Sequence, residues 1–165
     1  MGEIIKKQDS RRTFIDTLIE LAERDDKIIL IVPDVGFLYI DEFQKRFPDR
    51  YFNLGVTEAS STMVAAGLAL SGMKPYLYSM INFVLFRPYE MVRNGIVHHK
   101  ANVKLLGVKG SSSYKFLGFS HNLNTDTEDF DACKNLGLRS FNPQSNEEVK
   151  DVVLKTYEDG KSAYI

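Results

Sequence analysis

The sequence predicts a doubly wound α/β fold, a parallel sheet with helices on both faces, and three observations lead there. Apolar runs such as "KIILIVPD" and "NVKLLGVK" are strand-length and apolar at consecutive positions, as in strands buried on both faces. They alternate with amphipathic stretches at helical spacing. The 165 residues contain no repeat, low-complexity tract or linker long enough to divide them, so a single domain spanning 1–165 is expected.

The elements follow in order. Ser10 caps a first helix whose apolar positions Phe14, Leu18, Leu21 and Ala22 share one side, and "KIILIVPD" is a strand stopped by Pro33. "LYIDEFQKRFPD" is a short helix ending near Pro48, and "RYFNLG" is a short strand. Glu58 to Leu70 form a helix of small residues closed by Gly72. Next come strand "KPYLYS", a helix from Asn82 to His98, strand "NVKLLGVK" and a loop from Gly110 to Thr125. A helix around Glu128 to Asn135, a strand near "LRSF", a helix from Glu147 to Tyr157 and a last strand "SAYI" complete the series.

Composition narrows the function. Lys+Arg 21 against Asp+Glu 22 give a formal charge of -1, so no basic field invites nucleic acid. No apolar run reaches membrane length, and "MGEIIKKQDS" lacks the core of a secretion signal, so a cytoplasmic protein without membrane contact is expected. Cys133 is the single cysteine, which excludes an internal disulfide and a cysteine zinc cluster. Neither G-x-G-x-x-G nor G-x-x-x-x-G-K-[ST] occurs, so the common nucleotide cradles are missing.

In a parallel sheet, ligands gather beyond the carboxyl ends of the strands. Asp34, Glu58, the segment after Ser79 and the Gly110 to Thr125 loop all follow strands, so they converge on that edge. Glu58 stands out as the one carboxylate in an otherwise small, uncharged helix. As a first-turn residue it would simply favour the helix dipole.

The blocks "FNLGVTE", "GLALSG", "KPYLYS", "INFVLFRPYEMVRN", "NVKLLGVKG" and "GFSHN", in that order, resemble the pyrimidine-binding domain of transketolases and related thiamine diphosphate enzymes, especially the beta subunits of split transketolases. Phe52, Asn53, Gly55, Glu58, Ala65, Ala66, Gly67, Leu68 and Ala69 fall on the family run. The resemblance implies that Glu58 is a catalytic acid that hydrogen-bonds the N1′ atom of the cofactor's aminopyrimidine ring, a bond that promotes cofactor activation. Burial among Val56, Ala59 and Met63 would favour the neutral carboxyl, and the helix N-terminus the charged one; burial is expected to win when the cofactor excludes water.

By the same resemblance Phe83 stacks on the aminopyrimidine, Phe86 and Arg87 line the ring or the diphosphate side, and Asp34 and Val35 approach the cofactor from a strand-end turn. His121 points at the substrate and donates to the oxygen on the carbon under attack, and Arg11 binds a sugar phosphate. Glu128 and Asp129 are expected to serve as cap and first-turn charge.

Two positions depart from the pattern. Asn142 stands where transketolases have a second phosphate-binding arginine, and Leu117 where they have an Asp that senses a substrate hydroxyl. A modified, unphosphorylated or nucleotide-linked sugar is therefore admitted. The diphosphate-binding domain, with its G-D-G motif and following Asn, has no counterpart in these residues, nor does the transketolase C-terminal domain. The expectation is a transketolase-like subunit, inactive alone, that transfers a two-carbon ketol unit to an aldehyde. A partner chain would supply the diphosphate and Mg2+ contacts of a shared thiamine diphosphate site, within a homo- or hetero-oligomer. Condensation of the deoxyxylulose-phosphate type, 2-oxo acid decarboxylation and a non-catalytic scaffold are the alternatives.

Overall fold

In a computed structural model, which describes residues 9–109 and 112–165, five parallel strands form one sheet in the order β2-β1-β3-β4-β5. The strands are β1 (Ile28–Val32), β2 (Tyr51–Asn53), β3 (Lys74–Met80), β4 (Lys104–Val108) and β5 (Ala163–Tyr164). The α-helices are α1 (Ser10–Ala22), α2 (Asp41–Arg46), α3 (Glu58–Leu70), α4 (Tyr89–Met91), α5 (Glu128–Leu136) and α6 (Asn146–Asp159). Wide π-type turns, Asn82–Phe86 and Val92–His98, flank the single turn of α4, so the helix expected from Asn82 to His98 is interrupted rather than regular.

Alternation along β1 shows why both faces are apolar. Ile28, Leu30 and Val32 join a core with Phe14, Ile15 and Leu18 of α1, Phe43 of α2, and Val149 and Val153 of α6. Ile29 and Ile31 point the other way, to Ala65 and Ala66 of α3, Val92 and Ile96, and Ala132, Cys133 and Leu136 of α5. Successive side chains of a strand face opposite sides, so a run of five apolar residues serves two layers. Residues Ala65 and Ala66 allow α3 to approach the sheet and the neighbouring turn closely. At Gly95, for example, an added Cβ would lie 2.8 Å from Met63 Sδ.

Several boundaries differ from expectation. Asp9, not Ser10, caps α1, its side chain accepting from the Arg11 N–H at 3.0 Å. The α3 cap is Ser71, with Gly72 following at φ 93°. "LRSF" contributes one isolated bridge, Ser140 to Tyr164, because its pairing is confined to Tyr164 of the two-residue β5, whose N–H donates to the Arg139 carbonyl at 2.8 Å and whose carbonyl accepts from the Phe141 N–H at 2.9 Å. Within the expected 110–125 loop, Ser112–Ser120 winds into 3₁₀ turns broken at Gly118, whose φ is 67°. Gly110 and Ser111 lie outside the described residues.

At the amino end of the sheet Lys104 is 1% exposed, its ammonium donating to Asn102 Oδ1. Burial drives its pKa down to about 8. The folded protein thus releases this proton near pH 8, whereas the unfolded chain holds it to about pH 10.4. Between those values the unfolded state binds more protons, so this group makes stability rise with pH; below pH 8 its full cost, about 3 kcal/mol, is present. Lys104→Met is therefore expected to stabilise the fold at pH 7 by about 2 kcal/mol, with the advantage shrinking by pH 10. Urea unfolding of both proteins at pH 7 and pH 10 measures it; an equal difference at the two values would refute the assignment.

Candidate functional site

The sheet order places a switch point between β1 and β3, where the chain leaves their carboxyl ends in different directions. On the β1 side, Asp34 sits at φ 55° and is tied to Asn53 at the end of β2: the Asp34 N–H donates to Asn53 Oδ1 at 3.1 Å, and Asn53 Nδ2 donates to Asp34 Oδ1 at 3.2 Å. Asn53 Oδ1 also accepts from the Gly55 N–H at 3.0 Å, which sets the turn that delivers Glu58. Val35 packs on the α1 side of the core.

Glu58 opens α3 and is 7% exposed. Its cover is not the one expected, because Val56 and Met63 are 67% and 48% exposed. Instead Arg87 reaches across from the turn after β3, and its Nη1 donates to Glu58 Oε1. The same guanidinium lies over the Phe83 ring, 4.1 Å from its centroid. His121 meets Phe83 edge-on, with ring centroids 4.9 Å apart and planes at 86°. Glu58, Arg87, Phe83 and His121 thus form one continuous cluster at the carboxyl edge. The wide turn at Asn82–Phe86 makes this possible by turning Phe83 and Arg87 outward while Val84 and Leu85 stay buried. Phe86 packs instead on the core.

Asn82 and Asn122 organise the loop that carries His121, and sequence reasoning missed both. Asn82 Nδ2 donates to the carbonyls of Phe119 and Asn122, each at 3.3 Å, and Asn122 Nδ2 donates to those of Gly118 and Tyr114, at 2.7 and 3.1 Å. Their only signal was position, one directly before Phe83 and one directly after His121. Ser120 Oγ donates to the Leu117 carbonyl at 3.0 Å and lies 2.9 Å from His121 Nδ1. That arrangement is satisfied by the tautomer protonated on Nδ1, whose Nε2 accepts; the donating role expected of His121 then requires the doubly protonated ring.

Arg11 stands apart from this cluster. Its Nε and Nη2 form a fork on Asp9, at 2.9 and 2.5 Å, Nη2 also reaches the Tyr39 hydroxyl at 2.7 Å, and Tyr39 donates to Asp9 at 2.9 Å. Hydrogen bonding to Arg11 holds the Asp9 carboxyl down at about 2. Both residues line a cavity of about 390 Å³ beyond β4 and β5, which Asn142 and Asp129 also line. Glu128 behaves as a first-turn charge, accepting from the Asn124 N–H at 2.7 Å. Asp129 does not: it is buried and accepts from the Tyr164 hydroxyl at 2.8 Å. Among the described residues no cluster of three or more His, Cys, Asp or Glu is placed to hold a metal, and no helix is long and apolar enough to cross a membrane.

The family model for the transketolase pyrimidine-binding domain matches residues 6–165. The chain belongs to that family. Among related transketolase sequences, one of the subunits of an apulose-4-phosphate transketolase from Phocaeicola vulgatus is 35% identical over 112 residues, 67% of this chain and 36% of the relative. A 1-deoxy-D-xylulose-5-phosphate synthase of Bacillus cereus is 34% identical over 152 residues, covering 90% of this chain and 23% of that one. The solved structure of a split-gene transketolase, described as an inactive beta4 tetramer, superposes with a TM-score of 0.82 at 29% identity over 94% of this chain and 50% of that one. This pyrimidine-binding domain therefore spans half or less of the length of these proteins.

The cluster fits a thiamine pyrimidine in its chemistry. A planar guanidinium with N–H donors already bridges the Glu58 carboxylate and the face of Phe83. A planar aminopyrimidine would use the same two groups, with the hydrogen bond at its edge reversed, since its ring nitrogen accepts from the protonated acid where the guanidinium donates to the carboxylate.

Proposed function

We propose that this chain supplies the pyrimidine half of a thiamine diphosphate site in a split transketolase, which transfers a two-carbon ketol unit from a ketose to an aldehyde. The observation that carries the reading is the buried Glu58 carboxylate joined through Arg87 to the face of Phe83. The cofactor, when bound, would supply a nucleophilic carbon. Glu58 would hold a proton at its carboxyl and donate it to N1′, and Phe83 would orient the ring and exclude water from one face. His121, fixed against the Phe83 edge and by Ser120, would exchange a proton with the substrate oxygen. A partner chain would bring the diphosphate and Mg2+ ligands.

Calorimetric titration of thiamine diphosphate and Mg2+ into the chain, alone and then with a diphosphate-domain subunit, tests this. Binding is expected only with the partner. Tight binding to the chain alone would misplace the diphosphate site, and absence of binding in both cases would leave a non-catalytic scaffold. The likeness to a 1-deoxy-D-xylulose-5-phosphate synthase favours one rival on the same residues, condensation with pyruvate as donor; product analysis with pyruvate separates the two.

A further inference from the structure

The free chain fills its own pyrimidine site. Arg87 donates to Glu58 Oε1 and lies over the Phe83 ring at 4.1 Å, so one guanidinium occupies both groups that the ring would use. Glu58 is 7% exposed and the Arg87 side chain 48%, which makes the arginine the outer member of the pair. The Arg87 backbone is held by the wide turn, its N–H donating to the Asn82 carbonyl at 2.9 Å. Only the side chain has to move for the site to open, and it moves into water.

Charge decides what accompanies that movement. A guanidinium has donors only, so its match is an ionised carboxylate. The ring nitrogen N1′ is an acceptor, and an ionised Glu58 would set acceptor against acceptor in a buried site. The ring can replace the guanidinium only if a proton arrives with it, to lie between Glu58 and N1′. No neighbouring cation takes that place. α3 carries no charge besides Glu58, and among the described residues of the elements packed against it Lys74 pairs with Asp25, Arg93 bonds Asn94, Glu90 accepts from Asn94, and His98 meets His99 edge-on. Tyr76 and Tyr78 face the opposite core, and Tyr89 packs on the near one. At the rim, Asp34 is tied to Asn53, and His121 is engaged by Ser120 and Phe83.

Resting on the thiamine reading above, we propose that Arg87 is an internal plug that keeps Glu58 ionised and the pyrimidine site shut in the free chain. The site opens by exchange: the guanidinium leaves Glu58, and one proton from solvent is taken up in its place. Charge at the carboxyl stays balanced, because a cation departs and a proton joins. Arg87 thereby couples filling of the site to proton uptake, and its own effect falls on binding rather than on the transfer step.

NMR titration of the full chain with 4-amino-5-hydroxymethyl-2-methylpyrimidine, the ring half of thiamine, tests the proposal at pH 7 and pH 8, where the probe is neutral. Uptake of one proton is expected to make binding about tenfold weaker at pH 8 than at pH 7. Saturation is expected to move the Arg87 Nε–H resonance to that of a solvated arginine. Glu58→Gln has no proton to gain and is expected to bind equally at both pH values. Arg87→Met is expected to bind about tenfold more tightly than wild type at each pH, with the pH dependence retained. The proposal is overturned if wild-type affinity is the same at pH 7 and pH 8, if Glu58→Gln keeps the wild-type pH dependence, if Arg87→Met binds no more tightly, or if the probe leaves the Phe83 and His121 signals unmoved. Should Arg87→Met fail to fold, the wild-type pH ratio and the Arg87 resonance decide. Cofactor titration with the partner at a single pH reports on the thiamine reading alone: cofactor bound there beside a pH-independent probe removes only the plug, and no binding in either experiment removes both.

Discussion

Glu58→Gln in the assembled enzyme is expected to lower turnover by about 10²–10⁴-fold, the range typical for loss of a positioned proton donor. Gln keeps the shape and still offers an N–H to N1′, so cofactor affinity is expected to fall far less than kcat. The split between the two is the diagnostic, because a merely structural Glu58 would change both through folding. Steady-state rates at saturating cofactor, beside a calorimetric affinity, measure it, and an unchanged kcat would remove Glu58 from the chemistry.

Arg87→Met is expected to act in opposite directions on stability and on binding. Arg87 pairs with a buried carboxylate, and truncating one partner of such a pair costs about 3–5 kcal/mol when both are buried. Here the arginine is half-exposed and screened by water, so about 1–2 kcal/mol is expected from urea unfolding. Binding should improve, since the guanidinium occupies both contacts that an aminopyrimidine needs, the Glu58 carboxylate and the Phe83 face. Removing it is expected to raise the isolated chain's affinity for the aminopyrimidine fragment of thiamine about tenfold. Equal affinity in the two proteins would mean that the fragment binds elsewhere or leaves Arg87 in place.

The sequence already carried the architecture. Five consecutive apolar residues at Ile28–Val32 have no stable placement except between two layers, and Ala65 and Ala66 of α3 serve close packing. The family also followed from the order of its blocks, since Glu58, Phe83 and His121 fall on a common pattern. The boundaries that shifted were those set by single hydrogen bonds. Asp9 displaced Ser10 as a cap because its longer acid side chain also engages Arg11, and "LRSF" is left with a single bridge because β5 offers it only Tyr164.

What a side chain touches across the fold was not legible. Asp129 sits in a first helical turn like Glu128, and local spacing treats the two alike; only the packing of α5 against β5 sends one to Tyr164 and leaves the other to Asn124. The segment after β3 read as a regular helix, yet its wide turns are what bring Arg87 back over Phe83 to Glu58. Secondary structure and topology arise from periodicities summed over many residues, so the sequence by itself determined them. The pairings of Glu58 with Arg87 and of Asp129 with Tyr164 depend on single distances between segments remote in the chain, and those only the tertiary structure decided.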